Sequence, residues 1–215
     1  MRKLFVLAGV LALGLFSSNA RAQSNLAFGF SGFDTNNNLT INSTVFTNTD
    51  SGWIDALQAD YPGNQNYVSG NLNGDNYSDF FDFDLTGLTG TVTSASFNVD
   101  TYVITVPGTF DIFATALTPA QVSSANAPLP YYADLTSGEE IGTIDFATSD
   151  SNSLATITLN TAGDEWLQAN EGNGVVIGGQ FNGASATPEP SSLVLLGTGI
   201  AGLAGMIRRK AAKGL

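Results

Sequence analysis

Phe80-Phe81-Asp82-Phe83-Asp84-Leu85 is the stretch that decides the fold. From Phe81 onward apolar and acidic residues alternate. In an extended chain successive side chains point to opposite faces, so Phe81, Phe83 and Leu85 share one face and Asp82 and Asp84 the other. That is the pattern of a half-buried strand. On either side of it, turn-forming clusters of Gly, Asn, Asp and Ser recur every eight to twelve residues or about that, a spacing typical of all-β domains. The pattern predicts strands over Leu26–Phe33, Leu39–Phe46, Tyr67–Ser69, Phe80–Leu85, Ser94–Val106, Thr109–Ala116, Ile141–Phe146, Leu154–Leu159 and Val175–Phe181. Two short helices interrupt them. Thr118-Pro119 opens Ala120–Ala125. Thr161 is the expected cap of Ala162–Asn170, with Asp164 and Glu165 in the first turn, Gly172 just past the end, and Trp166 and Leu167 as core anchors. The expected fold class is all-β, an antiparallel β-sandwich with one or two short helices.

Composition agrees with strands and turns. Only 12% of the 215 residues are charged, and polarity comes from Asn, Ser, Thr and Gly. An amphipathic helical bundle would need more Lys, Arg and Glu. The seven basic residues are Arg2, Lys3, Arg21, Arg208, Arg209, Lys210 and Lys213, so nothing between Ala22 and Arg208 is basic. All 19 acidic residues fall in that interval, and 18 of them, all but Glu189 of the tail, lie in the 23–186 domain. No Lys or Arg there can meet phosphates, which excludes nucleic acid as a partner. Like-charge repulsion is relieved only by salt or bound cations. With no cysteine in the chain, disulfides and thiolate metal sites are excluded.

Both ends are apolar. Met1-Arg2-Lys3, an apolar run from Leu4 to Phe16, and Ser17-Ser18-Asn19-Ala20-Arg21-Ala22 form a charged, apolar, small-x-small series. This is the layout of a secretory signal peptide, expected over 1–22, with Ala20 and Ala22 marking the signal-peptidase cut after Ala22. At the other end, Thr187-Pro188-Glu189-Pro190-Ser191-Ser192 precedes an apolar stretch ending at Ile207, then Arg208-Arg209-Lys210. A transmembrane helix is expected over 191–207, near the shortest length that spans a bilayer. The basic end should stay cytoplasmic, placing the 23–186 domain outside. Gly197, Ala201 and Gly205 line one helix face, which suits either docking against another helix or simply a marginally apolar segment.

The order of Pro188-Glu189-Pro190, a short Gly-rich apolar helix, and Arg208-Arg209-Lys210 resembles the PEP-CTERM sorting tail, here 187–215. The resemblance implies a Gram-negative bacterium that also makes exopolysaccharide. It further implies an exosortase-type membrane protease that recognises the tail and cuts near the Pro-Glu-Pro. On that basis the protein is exported and held in the inner membrane before processing. It is then delivered to the outer surface or the extracellular, biofilm-associated matrix. A second likeness covers roughly Asn66 to Phe181. Phe80-Phe81-Asp82-Phe83-Asp84-Leu85 through Thr93-Ser94-Ala95, and later Ile177-Gly178-Gly179, look like jelly-roll modules that precede such tails. It implies a jelly-roll-like sandwich and no particular activity.

Candidate chemistry is sparse. Without His, Cys, Lys or Arg in the domain, Ser–His triads, imidazole metal sites, Schiff bases and Arg clamps are absent. A glycosidase-type carboxylate pair is the remaining catalytic route, with Asp79, Asp82 and Asp84 as candidates. Outward-facing Asp on a strand is also ordinary solvated surface. Asn71, Asn73, Asp75, Asp79 and Asp82 have calcium-loop spacing, compatible with bound Ca²⁺. Asn76 stands where an EF-hand has Gly, Asp82 where it has Glu, and no helices flank the segment. The alternative is a polar turn that selects Asn, Asp and Gly for backbone reasons. Trp53, Tyr61, Tyr67, Tyr77, Tyr131 and Tyr132 lie in or near expected loops. Tyr131 and Tyr132, after Pro128-Leu129-Pro130, are the favoured glycan contacts, because Pro stiffens the presenting loop. The leading expectation is a non-enzymatic surface or matrix protein that associates with exopolysaccharide. The alternative is a carbohydrate-binding module, and a secreted glycosidase ranks last.

Overall fold

In a computed structural model the described residues are 25–29, 36–56, 65–72, 74–123 and 130–183, with 25–29 and 130 described by backbone path alone. The expected signal peptide, the transmembrane helix and the tail lie outside them. No helix among the described residues is long and apolar enough to cross a membrane.

Among the described residues eleven strands form: β1 Asn25–Gly29, β2 Asn38–Ile41, β3 Thr44–Asp55, β4 Tyr67–Leu72, β5 Asp75–Asp84, β6 Ala95–Thr101, β7 Val103–Ile104, β8 Gly108–Ala114, β9 Glu140–Phe146, β10 Ser153–Thr158 and β11 Gly174–Gly183. The described residues also include the α-helices α1 Pro119–Val122, α2 Pro130–Asp134 and α3 Thr161–Ala169. Each strand pairing is antiparallel, and the main path runs β10-β6-β2-β3-β5-β11-β8-β9.

Strand β3 turns one sheet into two layers. Its first residues, Thr44 to Thr47, pair with β2, and from Asn48 onward it pairs with β5. Between Asn48 and Asp50 the register shifts. A bulge bends a strand and raises its twist, so the sheet folds over there. The expected strand ends at Phe46. The strand instead continues, and side chains satisfy the backbone groups at the bulge. Buried Asn48 donates from Nδ2 to the carbonyls of Asp50 (2.7 Å) and Asp82 (3.2 Å), and Thr49 Oγ1 donates to the latter at 3.1 Å. The expected strand 39–46 is in fact a hairpin. Asn42 and Ser43 take φ of 46° and 75°, the left-handed pair that a two-residue type I′ turn requires.

The two layers close on the main core. Leu39 and Ile41 of β2, Phe97 and Val99 of β6 and Ile157 of β10 pack with Phe81 and Phe83 of β5, Val175 and Ile177 of β11 and Ile112 of β8. Phe97 meets Phe81 and Phe83 edge-on, with ring centroids 4.8 and 5.9 Å apart, the geometry aromatic quadrupoles prefer. The architecture is an antiparallel β-sandwich with barrel-like continuity, as the alternation at Phe81–Leu85 implied. The outer face of the β3-β5-β11 layer is covered too. Ile54, Phe80 and Val176 pack there under Leu117, Val122 and Leu135, with α1 and α2 alongside.

Local chemistry places the helices. Asn160, not Thr161, caps α3: its Oδ1 accepts from Gly163 N at 3.0 Å, and its Nδ2 donates to the Glu140 carbonyl at 2.9 Å. One side chain thus satisfies an orphan helix donor and ties the helix to β9. Leu167 is fully buried and Trp166 partly so, both against the core. Gln121 accepts from Thr118 N through Oε1 at 2.8 Å and donates from Nε2 to the Tyr131 hydroxyl at 3.2 Å, which joins α1 to α2.

Candidate functional site

Strand β11 positions the features of interest. From Gly174 to Gly179 it pairs with β5, and Asp79↔Gly179 is the last rung. Beyond it β5 pairs with β4 over Asp75–Tyr77, whereas β11 continues on β8 alone. The two strands fork. Ser69 of β4 serves the edge that β11 loses: its Oγ accepts from Phe181 N at 2.7 Å and donates to the Gly179 carbonyl at 3.4 Å. Between the arms lies an open cleft of about 190 Å³, lined by the β4–β5 hairpin, the end of β11, and Tyr132 of α2.

Polar side chains dominate the cleft. Asn71 Nδ2 donates to Asn76 Oδ1 at 2.9 Å, which leaves the Asn76 amide hydrogens available. Asn182 Nδ2 donates to Asp111 Oδ2 at 2.9 Å, leaving its carbonyl oxygen available. Gln180 and Tyr132 line the cleft and spend their side-chain polar groups on no partner among the described residues. Tyr77 brings a ring that Trp53 braces edge-on at 5.2 Å.

At the crotch of the fork sits Asp79. It is 1% exposed, and neither carboxylate oxygen has a hydrogen-bond partner among the described residues. A Cβ built on Gly179 would lie 2.0 Å from its Oδ1 and 2.6 Å from the Phe110 ring. The missing side chain at 179 is thus the space the carboxyl occupies. Burial disfavours the charged form and pushes the Asp79 pKa well above the ordinary carboxylate range.

A second cleft of about 570 Å³ lies beside α1 and α3, lined by Pro119, Trp166, Asn170 and Asn173 among others. Its polar groups are largely spent internally. Asn170 Nδ2 donates to the Trp166 carbonyl at 2.8 Å, Asn173 Nδ2 to the Glu171 carbonyl at 3.4 Å, and Thr115 Oγ1 to the Val176 carbonyl at 2.8 Å.

Among the described residues, those expected to hold calcium form no cluster of three or more acidic side chains. Asn71 closes the β4–β5 turn, its Oδ1 accepting from Gly74 N at 3.2 Å, and Asn73 lies outside the described residues. Asp79 and Asp82, three apart on one strand, point to opposite faces, and both are buried rather than solvated. Asp84, by contrast, is exposed. The spacing that resembled a calcium loop is that of a hairpin and its outgoing strand. The same alternation separates Asp79 from Asp82 as a catalytic pair. Tyr131 and Tyr132 are not on a loop: they belong to α2 and pack half-buried against the outer cluster. Only Tyr132 also faces the fork cleft. Trp53, Tyr67 and Tyr77 are on strands, and Tyr61 lies outside the described residues. The cleft amides at 76, 180 and 182 escaped the sequence reading. Isolated Asn and Gln in strands give no signal until the ladder shows where β11 leaves β5.

The class defined by fold and site is an antiparallel β-sandwich carrying a neutral, amide-lined surface cleft. Residues 186–210 match the PEP-CTERM protein-sorting motif. The chain therefore carries a PEP-CTERM sorting signal, and that motif implies export, membrane anchoring through the C-terminal signal and processing by an exosortase. The match takes in Pro188, Glu189 and Pro190 and extends through Arg208, Arg209 and Lys210. No curated protein matches the chain.

Proposed function

We propose that this is a non-enzymatic protein of the outer surface or extracellular matrix, associated with exopolysaccharide. The sorting motif at 186–210 carries the reading, because it addresses the domain to the exterior. Three further features support it. The 23–186 domain has no His, Cys, Lys or Arg for nucleophilic or acid–base work. Neither described cleft is lined by Asp or Glu, as a glycosidase site would be. An acidic domain with no basic residue repels its own copies and other polyanions, and this favours a soluble, dispersed life among neutral polymers. Signal-peptide removal after Ala22 and a cut near Pro188-Glu189-Pro190 would leave that acidic sandwich outside the cell.

Replacing Pro188, Glu189 and Pro190 together by alanine tests the sorting step. Fractionation and immunoblotting should then show an unprocessed, larger chain accumulating in the inner membrane, with loss from the exterior. Unchanged size and location would refute the reading.

A further inference from the structure

We propose that the fork cleft between the β4–β5 hairpin and the end of β11 is a binding site for a neutral polysaccharide chain. This rests on the exopolysaccharide reading above and gives it a place and a ligand class. A sugar hydroxyl both donates and accepts, so a surface that reads vicinal hydroxyls needs donors and acceptors side by side. The fork supplies them: the Asn76 amide hydrogens, the Asn182 carbonyl oxygen and both ends of the Gln180 amide. Tyr77 and Tyr132 add ring surface for the apolar face of a pyranose, and Tyr132 adds a hydroxyl.

Size and charge narrow the ligand. At about 190 Å³ the open cleft is smaller than the roughly 300–1,000 Å³ of sites that enclose a small molecule. It suits one or two units of a chain running across the surface. No charged side chain lines it, and no basic residue lies between Ala22 and Arg208 to pair with a uronate or sulfate. The 18 acids of the 23–186 domain repel an anionic polymer from any approach. The larger Trp166 cleft is a poorer candidate, because its amides already bond to the protein's own backbone.

The site is also firmly built. Ser69 fixes the β11 arm through Gly179 and Phe181, and Trp53 braces Tyr77. The contacting amides are held on strands, which keeps the ordering penalty on binding small.

Affinity electrophoresis of the full chain in mild detergent tests this, with dextran, galactomannan and arabinoxylan as neutral probes and alginate as the acidic one. The native chain should be retarded by at least one neutral polymer and not by alginate. Gln180→Ala and Asn76→Ala should each weaken that retardation about five- to tenfold, the worth of one neutral hydrogen bond. Asn173→Ala, in the other cleft, should leave it unchanged. Asn76 is exposed, so its loss should not disturb folding, and equal melting temperatures would verify that. Retardation undiminished in a Gln180→Ala/Asn182→Ala double variant, or none by any neutral polymer, would overturn the assignment. Co-sedimentation with the producing cell's own exopolysaccharide separates the two levels. If the native chain and the double variant sediment alike, the site falls and the matrix reading stands. If the native chain stays in solution, both fall.

Discussion

Gly178→Ala is expected to destabilise the sandwich by about 3 kcal/mol or more, at the upper end of overpacking effects. On the outer face of β11, a Cβ at 178 would lie 1.9 Å from the Leu135 carbonyl oxygen and 2.8 Å from its carbon. Those are backbone atoms just past α2, so no side-chain rotation relieves the clash. The segment from α2 to Leu135 would have to lift off the sheet, uncovering Phe80 and Val176. Gly87→Ala is the matched control. Its Cβ would meet only the Phe46 ring edge, at 3.9 Å, and a change within about 0.5 kcal/mol is expected. Urea unfolding of both variants measures the difference. Equal midpoints would show that the close approach at Leu135 does not hold in solution.

The second large effect is one of pH. Asp79 has a folded pKa well above its unfolded value, because burial penalises the charge by more than its own backbone N–H relieves it. Between those two values the folded state holds a proton that the unfolded state has released. Stability therefore falls as pH rises through this window and levels off above the folded pKa. Below the ordinary carboxylate range both states are protonated, and the group exerts its least destabilising effect. Asp79→Asn keeps the shape and removes the charge. It should raise the unfolding midpoint at pH 8, with the advantage shrinking steadily towards pH 4. An advantage that is constant with pH, or that grows on acidification, would contradict the burial of this carboxyl. The comparison is made against the native chain because the other acidic residues titrate equally in both.

These two predictions also mark how far the sequence could be read. Alternation over Phe81–Leu85 was legible because it depends only on the strand's own period, and it placed Phe81 and Phe83 inside. The rest of β3 was hidden, because a strand through Asn48 and Thr49 is possible only when Asp82, far along the chain, offers its carbonyl. The burial of Asp79 depends on a glycine opposite it in β11, a pairing no local pattern reveals. Tyr131 and Tyr132 were expected on a Pro-stiffened loop, but Pro130 opens a short helix that carries them. The fork itself arises where β5 changes partner from β11 to β4, a property of topology alone. The sorting tail was the most legible element, since its order of motif, apolar segment and basic end is linear and needs no partner.

On the proposed reading, loss of both ends removes every basic residue and leaves only the acidic sandwich outside the cell. Intact-mass spectrometry of the protein recovered from the cell exterior measures this directly. A chain beginning at Gln23 and ending near Pro188-Glu189-Pro190, with no Arg or Lys in its peptide map, is the expected result. An exterior protein that still carries Met1–Ala22 or Arg208–Leu215 would contradict it.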